Sequence, residues 1–294
     1  MSRETKPLDL GEDYRKVLNR HGYAFQYGVI KLIDDLNRQG RIDWELEATE
    51  FPVGVGGMDS IFRKTRPHIY LIGECKRVNP ALSNWCFAGS VYSRGSSRLD
   101  KLIFEYAWVP SPDKKLTETL SRTDAIRMLT GTIQHDFHRV YHLGLSVRSN
   151  KTGDKSGKNT DAIEEAAGQV CKGLNGLIEY FNSQHLKLPA DAKFYFLPAI
   201  FTTARIWTTD VDLSSANIDK GEFEFGLVPL KETAWIWYQY HVSPALKHTV
   251  STDEESYVSP FELARILDQD FTRSIAIVNV KGIDDFLHHG FPWR

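Results

Sequence analysis

The stretch IYLIGECKRVNP, residues 69–80, decides how this chain is read. Ile69, Tyr70, Leu71 and Ile72 are residue types that fill strands. They run straight into Glu74, Cys75, Lys76 and Arg77. Residues i and i+2 of a strand leave on the same face. Glu74 and Lys76 therefore share a face, and burying both without a task would cost each its hydration. At the open end of a strand, the two converge on one solvent-facing pocket.

Upstream, WELEATEFPV (44–53) alternates partially, as a half-buried strand does, and MDSIFRK (58–64) reads as a second strand after the tight turn VGVGG (53–57). Before them, Phe25, Val29, Leu32, Ile33 and Leu36 follow one face of a helix over about 13–39, with Gly40 as its stop. Asp59 lies fifteen residues before Glu74. Antiparallel pairing of the second and third strands places these two carboxylates side by side. Two such carboxylates repel, and a divalent cation relieves the repulsion. Mg²⁺, or Mn²⁺ in its place, takes oxygen ligands: one or two carboxylates, water and substrate phosphate. Asp59, Glu74 and the main-chain carbonyl of Cys75 form such a set. Lys76 is then placed to orient or deprotonate a water, or to steady charge building on a phosphate. The combination points to phosphodiester hydrolysis.

Downstream, residues 80–158 read as an insertion or a helical elaboration. Within them 87–101 is Ser- and Arg-rich and loop-like, 123–143 looks helical, and 149–159 is a flexible loop. A strong helix follows over about 161–181. Ile163, Ala166, Ala167, Val170, Leu174, Leu177, Ile178 and Phe181 line one face, and Asp161 with Glu164 fits a capping box. Strands are expected at 193–209, 221–230 and 233–242, with Pro198 marking a bend, a bulge or an edge. Residues 274–287 read as a buried strand turning into a short helix. The fold class is α/β or α+β, a central mixed sheet flanked by helices, with additional strands in the C-terminal half. With no internal repeat and no clear linker, a single domain over 1–294 is expected.

Composition narrows the partners. The chain has 294 residues, 41% hydrophobic, and a net charge of −2. A globally basic protein that coats nucleic acid is excluded, but a local basic channel is not. Cys75, Cys86 and Cys171 supply no disulfide framework and no CxxC zinc pair. The charged beginning, MSRETKPLDLGEDYRK, does not read as a secretory signal. No apolar run approaches a membrane span. A cytoplasmic protein with no membrane partner is the expectation.

Asp59, followed by Glu74-Cys75-Lys76 at the end of an apolar strand and preceded by an amphipathic helix, resembles the PD-(D/E)xK nuclease superfamily, the restriction-endonuclease-like fold. The likeness covers about residues 13–79 and, more loosely, the helix at 161–181. It implies a nuclease core at about 13–79 and 160–209, an insertion at about 80–158, and a β-rich elaboration at about 210–294. It further implies Mg²⁺- or Mn²⁺-dependent hydrolysis of DNA, with Asp59 and Glu74 on the metal and Lys76 catalytic. Many members carry a glutamate on the first helix. GYAFQYGVIKLI (22–33) has Gln26 there, which keeps an oxygen and drops a charge, and Glu47 on the first strand is a candidate substitute. A glutamine on the helix after the motif often stands near the pocket, and Gln169 is carried over on that ground. The roles implied are restriction or anti-phage defence, with a defence partner protein, and a homodimer or larger assembly to supply two active sites.

Other readings stay open. Asp59 is also a turn residue after GVGG, and Glu74 with Lys76 also a surface ion pair. A catalytically degenerate nuclease fold that binds nucleic acid or protein is one alternative, and an RNase on the same fold is another. Arg77, Arg94, Arg98 and Lys101 follow the acidic strand and suit phosphate contacts, or a plain solvated loop. GDKSGKNT (153–160) departs from the Walker spacing and is set aside as a phosphate loop. His135, His138 and His142 share a face if 123–143 is helical, but no clear carboxylate or cysteine completes a zinc set. Trp235, Trp237, Tyr238 and Tyr240 read mainly as core, and Cys171 as inert core.

Overall fold

The computed structural model describes residues 10–20, 22–53, 56–79, 83–89, 102–108, 126–131, 140–147, 162–183, 193–209, 216–223, 229–241 and 272–291. The N-terminal helical region is two helices, α1 (Leu10–Arg20) and α2 (Tyr23–Arg38), not one. Gly22 separates them at φ 80°, a left-handed conformation that glycine adopts without steric cost. In α2 the buried residues are Gln26, Val29, Ile30, Ile33 and Leu36, whereas Leu32 is exposed.

Three strands follow as an antiparallel meander: β1 (Trp44–Val53), β2 (Gly56–Lys64) and β3 (His68–Lys76). After further strands the chain forms α3 (Ala162–Ser183) and then β9 (Lys193–Thr202), which lies beside β3 and parallel to it. A parallel neighbour needs a crossover, and α3 belongs to it. The main sheet has nine described strands. Its path runs β1-β2-β3-β9-β15-β14-β7, where β15 is Thr272–Asn279, β14 is Trp235–His241 and β7 is Val140–Tyr141. Off this path, β5 (Leu102–Trp108) pairs with β9 and with β6 (Ile126–Gly131). The fold is thus a mixed α/β arrangement with a large mixed sheet and few helices.

Of the bend, bulge or edge expected at Pro198, the edge is excluded. The residue lies in β9, an interior strand, opposite Ile72 of β3. The other side of β9 explains the tolerance. There β5 covers Lys193 to Phe196 and β15 covers Ala199 to Thr202. Pro198 falls at the seam between these two neighbours, where the ladder is already interrupted and a missing N–H is harmless.

Ile126–Gly131 and Val140–Tyr141 form strands, and a further strand begins at Leu143, against the helix expected over 123–143, of which 123–125 and 132–139 lie outside the described residues. Part of this region builds a second sheet, ordered β13-β10-β4-β8, from β13 (Lys231–Thr233), β10 (Arg205–Thr209), β4 (Asn84–Ala88) and β8 (Leu143–Val147). A short hairpin joins β11 (Ala216–Asn217) to β12 (Glu222–Phe223), the latter within the strand expected at 221–230, of which 224–228 lie outside the described residues. After β15 come a 3-10 turn (Val280–Gly282) and α4 (Ile283–His289). Asp161 lies outside the described residues, as do His135 and His138.

The main sheet has an apolar layer on each face. On one side Tyr70 and Ile72 of β3 pack with Ile163, Ala166, Val170, Leu174 and other residues of α3. On the other, Ile69 and Leu71 pack with Val29 and Ile33 of α2 and with Phe286 of α4. Trp235 and Trp237 belong to this second layer, and Cys171 is buried in the first. Trp237 donates from Nε1 to the Gly290 carbonyl at 3.1 Å, which pins the end of α4. Among the described residues, no helix is long and apolar enough to cross a membrane.

Candidate active site

The alternation of β3 decides where its charges go. Tyr70 and Ile72 face α3, so Glu74 and Lys76 continue that face. Ile69, Leu71 and Cys75 face α2. Gly73 is required by close approach. A Cβ there would stand 2.6 Å from Ser60 Oγ and 3.0 Å from the Phe201 ring.

Register brings the carboxylates into a row. Ser60 pairs with Gly73, so the next residues along, Asp59 and Glu74, are opposite each other. Thr49 pairs with Ser60 and Phe51 with Met58, which sets Glu50 opposite Asp59. Glu50, Asp59 and Glu74 thus cross β1, β2 and β3 at one level. Glu50 has φ 48°, a left-handed backbone that non-glycine residues seldom adopt.

Two members of the row, Asp59 and Glu50, are held by hydrogen bonds. The Cys75 N–H donates to Asp59 Oδ2 at 2.6 Å. Gln26, 4% exposed on α2, donates from Nε2 to Glu50 Oε1 at 2.7 Å and to the Asp59 carbonyl at 2.9 Å. The helix position expected to carry an acid therefore carries an amide that braces the row. The carboxylate of Glu47, the other candidate on β1, pairs with Arg63 at 3.3 Å. Glu50 is the β1 carboxylate in the row. Sequence spacing missed it, since only the β1–β2 register reveals it.

Lys76 Nζ lies 2.9 Å from Glu165 Oε1, on the first turn of α3. Gln169 is exposed one turn further along that helix. Glu165, rather than Gln169, is the α3 residue that reaches the strand-end lysine. Arg77 is exposed just beyond β3, where Val78 N–H donates to Thr203 Oγ1 at 3.1 Å. Arg94, Arg98 and Lys101 lie outside the described residues.

Burial dominates the electrostatics. It pushes the Glu74 carboxyl up to about 8, and the Asp59 charge adds to the rise while Lys76 opposes it. Asp59 is raised chiefly by burial. The Cys75 N–H bond pulls it down, Glu50 pushes it up, and Lys76 lowers it. Burial, then Asp59 and Glu74, hold the Cys75 thiol well above its ordinary range, so it is no nucleophile at neutral pH.

Among the described residues, no set of three or more His, Cys, Asp or Glu side chains is gathered closely enough to hold a metal ion alone. A pair of carboxylates suits a hard cation that keeps water and substrate oxygens as its other ligands. The raised Glu74 fits such a cation, because a positive charge beside it would offset both the burial and the Asp59 repulsion. No family model, curated protein or solved structure matches this chain.

Proposed function

We infer that this chain is a divalent-cation-dependent nuclease of the PD-(D/E)xK kind that hydrolyses DNA phosphodiesters. One observation carries the reading: Asp59 and Glu74 stand opposite each other on paired strands, with Lys76 on the Glu74 face. The element order supports it, since a helix, three strands with the acidic one last and a later helix is the order that the resemblance implies, with further strands between β3 and α3 here.

Asp59 and Glu74 would hold Mg²⁺ or Mn²⁺. In an extended strand the N–H and C=O of one residue leave on the same side. The Cys75 carbonyl therefore faces β2, as its N–H does, and joins the donor set. A bound cation supplies charge neutralisation and polarises a phosphoryl oxygen. Lys76 offers an ammonium for a phosphate oxygen or the attacking water. Asp59 is kept in place by the Cys75 N–H, and the Asp59 backbone by Gln26. Arg77, with Arg94, Arg98 and Lys101, supplies cations for the phosphate backbone.

Restriction or anti-phage defence is the setting proposed, in the cytoplasm, with a partner protein and a homodimer for double-strand cleavage. A degenerate binding module is the second reading, favoured by Gln26 in the place of a helix carboxylate. The test is a substrate panel: supercoiled plasmid, linear duplex, single-stranded DNA and RNA, each with Mg²⁺, Mn²⁺ or EDTA. Cation-dependent cutting of DNA supports the nuclease. Cutting of RNA alone shifts the substrate. No cutting, together with no Mn²⁺ binding, leaves the degenerate module.

A further inference from the structure

We propose that Glu165 is the positioning residue for Lys76, holding its ammonium at the pocket for the cleavage step. The proposal rests on the nuclease reading above. Lysine carries about 2 kcal/mol of side-chain rotamer entropy, so an untethered ammonium samples many places other than the reacting phosphate. Lys76 is tethered. Its Nζ lies 2.9 Å from Glu165 Oε1, and only 23% of its side chain is exposed.

Glu165 stands on an anchored turn. Ile163, Ala166, Ala167 and Val170 bury one stripe of α3 against the sheet. Its neighbour Glu164 accepts a hydrogen bond from Tyr238 Oη at 2.8 Å, tying the same turn to β14. Two successive glutamates thus engage two strands of one sheet, Glu164 through Tyr238 and Glu165 through Lys76. The Glu165 carboxylate is therefore presented by a fixed backbone, as a positioning group must be.

A bystander charge and a positioning charge act differently. Glu165 adds a negative charge near Glu74 and near the proposed path of an anionic substrate. Removing a bystander would ease substrate binding and lower KM without slowing turnover. Removing a positioning group slows turnover. The two roles separate in kcat and KM.

The experiment measures kcat and KM for duplex cleavage in Mg²⁺ by wild type, Glu165→Ala, Glu165→Gln, Lys76→Ala and the double variant Glu165→Ala/Lys76→Ala. Glu165→Ala should lower kcat about ten- to a hundredfold, the scale of a misplaced catalytic group. KM should stay level or fall. Glu165→Gln should recover part of the loss, because its amide oxygen still accepts from the ammonium. Adding Glu165→Ala to Lys76→Ala should cost nothing further, as for residues acting as a unit. The thermal midpoint should barely move, because an ion pair whose carboxylate is half exposed contributes little to stability. Wild-type cutting that Lys76→Ala cripples and Glu165→Ala leaves equal or faster would overturn the proposal alone. A wild type that does not cut, or that Lys76→Ala leaves unimpaired, overturns the nuclease reading and this proposal with it.

Discussion

The Cys75 N–H donates to Asp59 Oδ2 at 2.6 Å, so the carboxylate of one strand caps the backbone of the next where the acidic row begins. This bond has a structural part, which any acceptor satisfies, and a charge, which only a carboxylate supplies. Asp59→Asn keeps an acceptor and removes the charge. Because burial raises Asp59, losing that charge should leave the melting temperature unchanged or higher while Mn²⁺ affinity falls. Asp59→Ala should lower both. Calorimetric melting and Mn²⁺ titration of the two variants separate these parts.

Glu74 makes stability depend on pH. Its carboxyl goes from an ordinary 4.5 to about 8 in the folded, metal-free protein. Between those values the folded state binds more protons than the unfolded state, so stability falls as pH rises through the window. A tenfold difference in proton affinity between the two states corresponds to about 1.4 kcal/mol. In EDTA, wild type should therefore lose stability between pH 5 and pH 8. Glu74→Gln should flatten that slope and gain stability at pH 8. Mg²⁺ at pH 8 should stabilise wild type more than Glu74→Gln. Chemical denaturation across pH, with and without Mg²⁺, reads all three effects.

Gln26 braces the row from α2, so its removal takes a donor from two acceptors. Glu50 is exposed and turns to water, so the cost of Gln26→Ala falls on the partly buried Asp59 carbonyl and should be about 1–3 kcal/mol. Gln26→Glu restores the acid that the resemblance expects, but sets it against Glu50. Two facing carboxylates share a proton, so Gln26→Glu should be less stable at pH 8 than at pH 5. Denaturant unfolding at both pH values checks this.

Gly73 precedes the acid in IGECK, and its missing side chain makes room for Ser60 and Phe201. Gly73→Ala should destabilise by about 1–3 kcal/mol through overpacking. It should also disturb the Asp59–Glu74 level and lower activity more than its stability cost explains. Melting and turnover measured together test this.

Much of this was legible in the sequence because it is local. The apolar run Ile69–Ile72 and the alternation behind it placed Glu74 and Lys76 on one face, and an antiparallel meander put Asp59 opposite Glu74. The α3 stripe was legible from its spacing. What escaped depends on distant pairing. Glu165 meets Lys76 across 89 residues, and no spacing rule reaches that far. Glu50 joins the row only through the register of β1 on β2. Pro198 reads as a bend, a bulge or an edge until β5 and β15 are seen to leave it a seam. Residues 123–143 read as a helix because short apolar runs fit either period, and β6 and β7 take their stability from partner strands.

The most direct single measurement is turnover of supercoiled plasmid in Mg²⁺ by wild type beside Glu74→Gln, which keeps the shape of the side chain and removes its charge. Wild type should nick or linearise the plasmid, EDTA should stop it, and Glu74→Gln should be slower by about 100-fold or more. Equal rates for the two proteins would contradict a hydrolytic site at the end of β3.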